Sequence, residues 1–168
     1  MMRFELDVLG GSVEDVVKNA GGRLFDRARA GWDVTVLIPK LHDGDVRPLQ
    51  ILGVRGVDLE AALTGPPRCP AAYLVAASLW VKDRRVRALV GSAVDSGMHT
   101  VMMWGEQCPL ELTRRLVLES REMSSAARAF KAHAVAACGS DRTPTGFVEN
   151  FRSATPIGQA ALHLTSAR

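Results

Sequence analysis

Asp33-Val34-Thr35-Val36-Leu37-Ile38-Pro39 is β-branched, almost wholly apolar and closed by a proline. Such a run reads as a strand buried on both faces, the kind found inside a parallel sheet covered by helices. Immediately before it, Gly31 is a good C-cap for a helix running from Ser12 to about Ala30. Val13, Val16, Val17, Leu24 and Phe25 recur at helical spacing in that segment. Ser12 stands where an N-cap belongs, and Glu14 and Asp15 fill the first turn, where the helix dipole favours carboxylates. Gly21-Gly22 weakens the middle of the helix by about 1 kcal/mol per glycine relative to alanine. Further back, Gly10-Gly11 closes a short alternating strand, Arg3–Val8, with Phe4, Leu6 and Val8 on one side. Strand, helix and buried strand in succession predict an α/β layered domain.

Working forward from Pro39, Leu41–Val46 reads as a polar loop and Pro48–Leu52 as a second, shorter strand. Val57–Leu63 predicts one or two helical turns, with Asp58 as N-cap and Gly65-Pro66-Pro67 as the stop. Residues 71–77 fit a strand or a helix equally; Val86, Leu89, Val90, Ala93 and Val94 predict a helix over 78–96 that ends at Gly97. His99–Trp104 reads as a strand. Leu112, Leu116, Met123, Ala127, Phe130 and Ala134 recur at three and four, which predicts one long helix from Pro109 to Ala137, capped by Gly139. From Ser140 the chain turns to prolines and small polar residues, and reads as an extended arm with one turn around Phe147–Phe151. The expectation is an α/β domain over 1–138, a two- or three-layer sheet of about three to five short strands with covering helices, and a C-terminal arm over 139–168.

At 168 residues with 47% hydrophobic and 23% charged side chains, the chain is long enough for one ordinary core and too apolar for a disordered segment. The net charge of +3 is uneven. The first 70 residues carry 9 basic and 10 acidic side chains, and the remainder 12 and 8, so an acidic partner is to be sought on the second half. Three widely spaced cysteines with no CxxC argue against a disulfide scaffold and against a structural zinc site. No apolar run is long enough to span a bilayer, and MMRFELDV lacks the apolar core of a signal peptide. The expected compartment is the cytoplasm, and no membrane contact is expected.

Several groups have the right chemistry for a site. Gly10, Gly11 and Ser12 join strand to helix, and free N–H groups there can hold an anion without a lysine. Cys108 precedes a predicted helix start, where the dipole and Arg114 or Arg115 favour its thiolate; it is the best nucleophile, although no histidine is placed beside it as a base. Lys82, Arg84, Arg85 and Arg87, with Arg114, Arg115 and Arg121, form a basic set on two predicted helices suited to phosphates of a nucleic acid or to an acidic partner. The four histidines are isolated from one another, so no metal site and no cofactor is expected.

The order of these segments resembles the degenerate RecA-like proteins of the SulA and ImuA type over about residues 4–127. The residues that carry the likeness are Leu52-Gly53-Val54 with Asp58-Leu59, the Leu79-Trp80 helix ending at Gly97 before a strand, and Thr113-Arg114-Arg115-Leu116. No Walker lysine follows Gly10-Gly11, so the resemblance implies a sheet core that binds a protein partner and does not hydrolyse ATP. The expected function is accordingly a non-catalytic interaction or regulatory protein working in an assembly, as a homo-oligomer or with a protein partner. Two alternatives stay open: a small cysteine-dependent enzyme using Cys108 on an anionic substrate, and a nucleic-acid-binding protein using the 82–87 and 114–121 basic residues.

Overall fold

The structure, a computed structural model, describes residues 3–140 and 146–154. Its strands are β1 (Glu5–Leu9), β2 (Asp33–Ile38), β3 (Arg55–Asp58), β4 (Ala72–Ala76), β5 (Thr100–Trp104), β6 (Val117–Glu122) and β7 (Val148–Ala154). The helices are α1 (Val13–Arg29), α2 (Arg47–Ile51), α3 (Leu59–Thr64), α4 (Ala77–Lys82), α5 (Arg84–Ser96), α6 (Leu110–Thr113) and α7 (Ser125–Ala137), with a short 3-10 turn at Leu41–Asp43. All seven strands join one sheet in the order β3-β2-β1-β4-β5-β7-β6. β1 to β5 are parallel, whereas β7 runs antiparallel to both β5 and β6. The α/β class is as expected, but the sheet exceeds the three to five strands read from sequence.

The first strand–helix–strand unit forms where the residues place it. Ser12 Oγ accepts the Asp15 N–H at 3.1 Å, and Val16, Val17, Ala20 and Leu24 are buried beneath α1. β2, β4 and β5 are buried along nearly their whole length, as their continuous apolar runs require. The crossovers β1–α1–β2 and β2–α2–β3 step one way across the sheet, and β4–α4–α5–β5 steps the other. Right-handed crossovers therefore place α1 and α2 on one face and α4 and α5 on the other. α7 packs on α1 and α2, completing the first layer.

Four segments differ from their predicted form. Pro48–Leu52 falls in the helix α2, because proline at the second helical position starts a helix readily and the Asp45 carboxylate accepts the Arg47 N–H at 2.9 Å. Arg55–Asp58 is a strand, and Asp58 ends it while its side chain caps α3 through the Ala61 N–H. The helix predicted over 78–96 is two helices: Asp83 leaves helical geometry and its carboxylate accepts the N–H groups of Arg85 and Val86. The long helix predicted over 109–137 does not form. α6 lasts four residues, β6 follows, and α7 restarts at Ser124, whose hydroxyl accepts the Ala127 N–H.

The segment expected to turn at Phe147–Phe151 is instead strand β7, inserted between β5 and β6. Its alternation is plain: Glu149 and Phe151 are buried, and Val148 and Asn150 are exposed. The rest of the expected arm, 141–145 and 155–168, lies outside the described residues. Gly21-Gly22 also has a role that propensity does not show. A Cβ on Gly22 would stand 2.3 Å from Met123 Sδ, so the bare backbone lets α1 and the β6–α7 corner meet. The Gly22 and Arg23 N–H groups, each at 2.8 Å, donate to the buried Glu149 carboxylate, which also accepts from Lys131 Nζ at 2.7 Å. One carboxylate thereby ties α1, α7 and β7 together.

Candidate functional site

In an open α/β sheet, ligands bind outside the carboxyl ends of the strands, where the strand order reverses. Here the reversal lies between β1 and β4. β1 delivers Gly10 to that edge, and a Cβ there would lie 2.2 Å from Val16 Cγ2, 3.3 Å from Ile38 Cδ1 and 3.6 Å from Trp104 Cη2. Only glycine lets the chain pass between the first turn of α1 and the Trp104 ring. Ser12 then starts α1, and Asp15 follows within its first turn.

Asp15 is the central group of this edge. It is half-buried, its Oδ2 accepts the Trp104 indole N–H at 3.3 Å, and its Oδ1 accepts from Asn19 Nδ2 at 2.9 Å. Burial pushes its carboxyl above the usual range, against the pull of the bonds from Trp104 and Asn19. Trp104 ends β5 and is itself buried. Beside this pair a cleft of about 360 Å³ opens between α1, β5 and the β6–β7 ribbon, with Lys18, Asn19, Trp104, Glu106, Asn150 and Arg152 in its walls. Both partners of Asp15 thus face the cleft. The sequence reading gave Asp15 a helix-dipole role only; its chemistry arises from Trp104, 89 residues away.

The sequence-derived groups are dispersed. Gly10, Gly11 and Ser12 do lie at the switch point, but Glu14 and Asp15 put negative charge on that helix start. Cys108 is partly buried before α6, its Sγ 3.9 Å from the Pro109 carbonyl, and among the described residues no base is bonded to it. Arg114 is the C-cap of α6, and Arg115 pairs with Asp95 on α5. Neither is bonded to the Gly10–Ser12 loop. His99, the histidine of β5's far end, bonds the Pro70 carbonyl at 2.7 Å and meets the Tyr73 ring edge-on.

The basic set does not form one face. Arg85 pairs with Asp83 and Glu60, and Arg87 lies over the Trp80 ring and donates to the Val81 carbonyl. Lys82 and Arg84 sit exposed at the α4–α5 corner. Arg121 is on β6, the edge strand, paired with Glu119. Because residues 109–137 are not one helix, nothing aligns Arg121 with Arg114 and Arg115.

A second polar group crosses the sheet away from the switch point. Asp7 of β1 is in register with Thr35 and Tyr73 and is fully buried. Arg68 closes on it with two bonds, Nε–Oδ2 at 2.7 Å and Nη2–Oδ1 at 2.6 Å. Burial, with the Asp7 charge adding, pushes the Tyr73 phenol up to about 12. This pair holds the loop before β4 against the sheet, with the Asp7 carboxylate buried inside it.

No protein-family model matches the chain, and none of the curated proteins matches it. Solved structures do resemble it in fold. The A40926 pseudoaglycone deacetylase Dbv21 superposes with a TM-score of 0.63 at 14% identity, covering 92% of this chain and 98% of that one. The zinc-inhibited form of teicoplanin deacetylase Orf2 gives 0.62 at 14% identity, covering 89% and 97%. GalB, the 4-carboxy-2-hydroxymuconate hydratase of Pseudomonas putida KT2440, gives 0.58 at 12% identity, covering 93% and 98%. These likenesses overturn the expected RecA-like resemblance, and the reading of a non-catalytic regulatory protein that leaned on it falls too. Among the described residues, no three His, Cys, Asp or Glu side chains gather as ligands for a metal ion, and no helix is long and apolar enough to cross a membrane. At these identities the shared property is the fold, on which the chain carries its own set of side chains at the carboxyl edge.

Proposed function

We propose that the chain is an enzyme that adds water to an sp² carbon, acting as a hydrolase of a small N-acyl amine. The observation that carries this reading is the half-buried Asp15 carboxyl at the switch point, held by Trp104 and Asn19, both of which line the cleft. A carboxyl with a raised pKa has its proton affinity nearer the operating pH, which suits a general base. In the proposed step Asp15 takes a proton from water, and the resulting hydroxide attacks the acyl carbon. The C–N bond then breaks, and the proton held on Asp15 passes to the leaving nitrogen. Arg152 in the cleft wall favours a substrate that carries a carboxylate or another anionic substituent, while Lys18 there is paired with Glu14. Deacetylases and a hydratase on the same fold support the class, since both reactions place water on an sp² carbon. Among the described residues no set of side chains fits a metal ion, and the carboxyl at this edge that can take the proton is Asp15.

The test is release of primary amine from a panel of N-acetyl amino acids and N-acetyl amino sugars. Turnover by the wild type, lowered at least about 100-fold in Asp15→Asn, is the expected result. Amine release that is equal in the two proteins, or absent from the wild type across the panel, overturns the proposal.

A further inference from the structure

Arg23 and Arg27 stand one turn apart on α1, and β6 brings Arg121 against them across a cavity of about 220 Å³. Like charges at this helical spacing repel. Here burial adds to the repulsion: it lowers the Arg23 guanidinium to about 10, with the charges of Arg27 and Arg121 acting in the same direction. Arg27 is lowered by burial first and then by Arg121.

The nearby carboxylates offset this only in part: the charges of Glu119 and Glu149 support Arg23, and that of Glu119 supports Arg27, without outweighing burial and repulsion. Glu149 is taken up by the Gly22 and Arg23 N–H groups and by Lys131. Glu119 holds Arg121 through Nε, and Asp26 accepts the Ser124 hydroxyl at 2.7 Å. Glu122 is exposed in the wall. Among the described residues, no carboxylate is paired with the side chain of Arg23 or Arg27. Both rest on aromatic rings instead, Arg23 at 5.5 Å from the Phe151 centroid and Arg27 at 4.7 Å from that of Trp32. Arg23 Nε is buried with no hydrogen-bond partner. A ring supports the flat face of a guanidinium and leaves its N–H edge directed elsewhere.

We propose that this cavity is a binding site for a compact phosphate-type oxyanion, held by the N–H edges of Arg23, Arg27 and Arg121. Planar guanidinium forks match the oxygens of a phosphoryl group two at a time. An anion there removes the repulsion along α1. The cavity also admits the carbon skeleton of a small phosphomonoester. Its lining shares Glu149 alone with the cleft beside Trp104, so the proposal stands independently of the hydrolase reading.

Thermal unfolding of the full chain at low ionic strength tests this, with inorganic phosphate in one arm, glycerol 3-phosphate in a second, and chloride at matched ionic strength as the control. The expected result is a saturable rise in Tm of about 2–4 °C with phosphate, by mass action on the folded state. A larger rise with glycerol 3-phosphate at equal concentration identifies a phosphomonoester as the ligand class. The Arg27→Gln/Arg121→Gln double variant should unfold no earlier than the wild type without phosphate, and should gain nothing from adding it. Phosphorus NMR of the wild type supplies a readout that needs no variant: the phosphate line broadens and sharpens again with excess sulfate. A wild-type Tm that moves no further than in chloride, an equal rise in the double variant, or an unbroadened line overturns the proposal.

Discussion

Asp15 reports its environment through pH. Its carboxyl is raised above the usual range by burial, so the folded chain holds the proton more tightly than the unfolded chain does. The stability this contributes is present below the unfolded pKa and is lost as pH rises through the folded one. The Tm difference between Asp15→Asn and wild type should therefore be more positive at pH 7 than at pH 3.5, as scanning calorimetry at the two values will show. Activity should have the opposite dependence, falling as pH drops through the same group, because the base acts ionised. Arg68 tests a different balance. Its partner Asp7 has a side chain 2% exposed, while Arg68 keeps 32% of its own surface in water. Arg68→Met leaves a buried carboxylate unpaired and should cost about 3 kcal/mol, the low end for a broken buried pair. Adding Asp7→Asn should recover much of that in urea titrations. The alternation of Arg3–Val8 puts Asp7 on the polar side of the strand, so neither its burial nor its partner 61 residues on is legible in the sequence.

At the scale of elements, caps decided where the sequence reading went astray. Asp83 separates α4 from α5 because its side chain bonds two N–H groups ahead of it more readily than its backbone continues the helix. Asp83→Ala should destabilise the chain by about 1 kcal/mol, read from the denaturation midpoint. The apolar repeat through Leu112, Leu116 and Met123 mimicked one helix, although these residues sit in a helical turn, just before β6 and at the corner after it. All three are buried, and burial alone does not distinguish a helical period from successive short elements that each put one residue inside. β6 was hidden for a further reason: as an edge strand it is mostly exposed and carries Glu119, Arg121 and Glu122, so no buried alternation marks it.

For the molecule as a whole, β7 is the element on which the most depends. Its insertion between β5 and β6 draws the C-terminal region into the sheet, and Phe151 anchors it at 1% exposure. Phe151→Ala should cost about 3–5 kcal/mol and release β6 as well, because β6 pairs with β7 alone. Hydrogen exchange should then show β6 and β7 losing protection together while β1 to β5 keep theirs. The same insertion builds the walls of both cavities. Asn150 and Arg152 line the Asp15 cleft, and Glu149 closes the arginine cavity.

The residues alone determine the β1–α1–β2 unit: a cap at Ser12, a helical apolar period and a buried β-branched run are local signals that agree with one another. The strand β5 and the capped helix α3 carry comparable local marks, whereas residues 71–77 fit strand and helix equally and the starts of α5 and α7 fall inside longer helical periods. Strand order, the reversal at β1–β4 and the antiparallel insertion of β7 come only from tertiary packing, since pairing energy depends on partners far apart in the chain. The site follows the same division. Gly10 and Ser12 were readable as a strand-to-helix junction. The Asp15–Trp104 contact and the meeting of Arg23, Arg27 and Arg121 exist only because the folded sheet brings distant residues side by side.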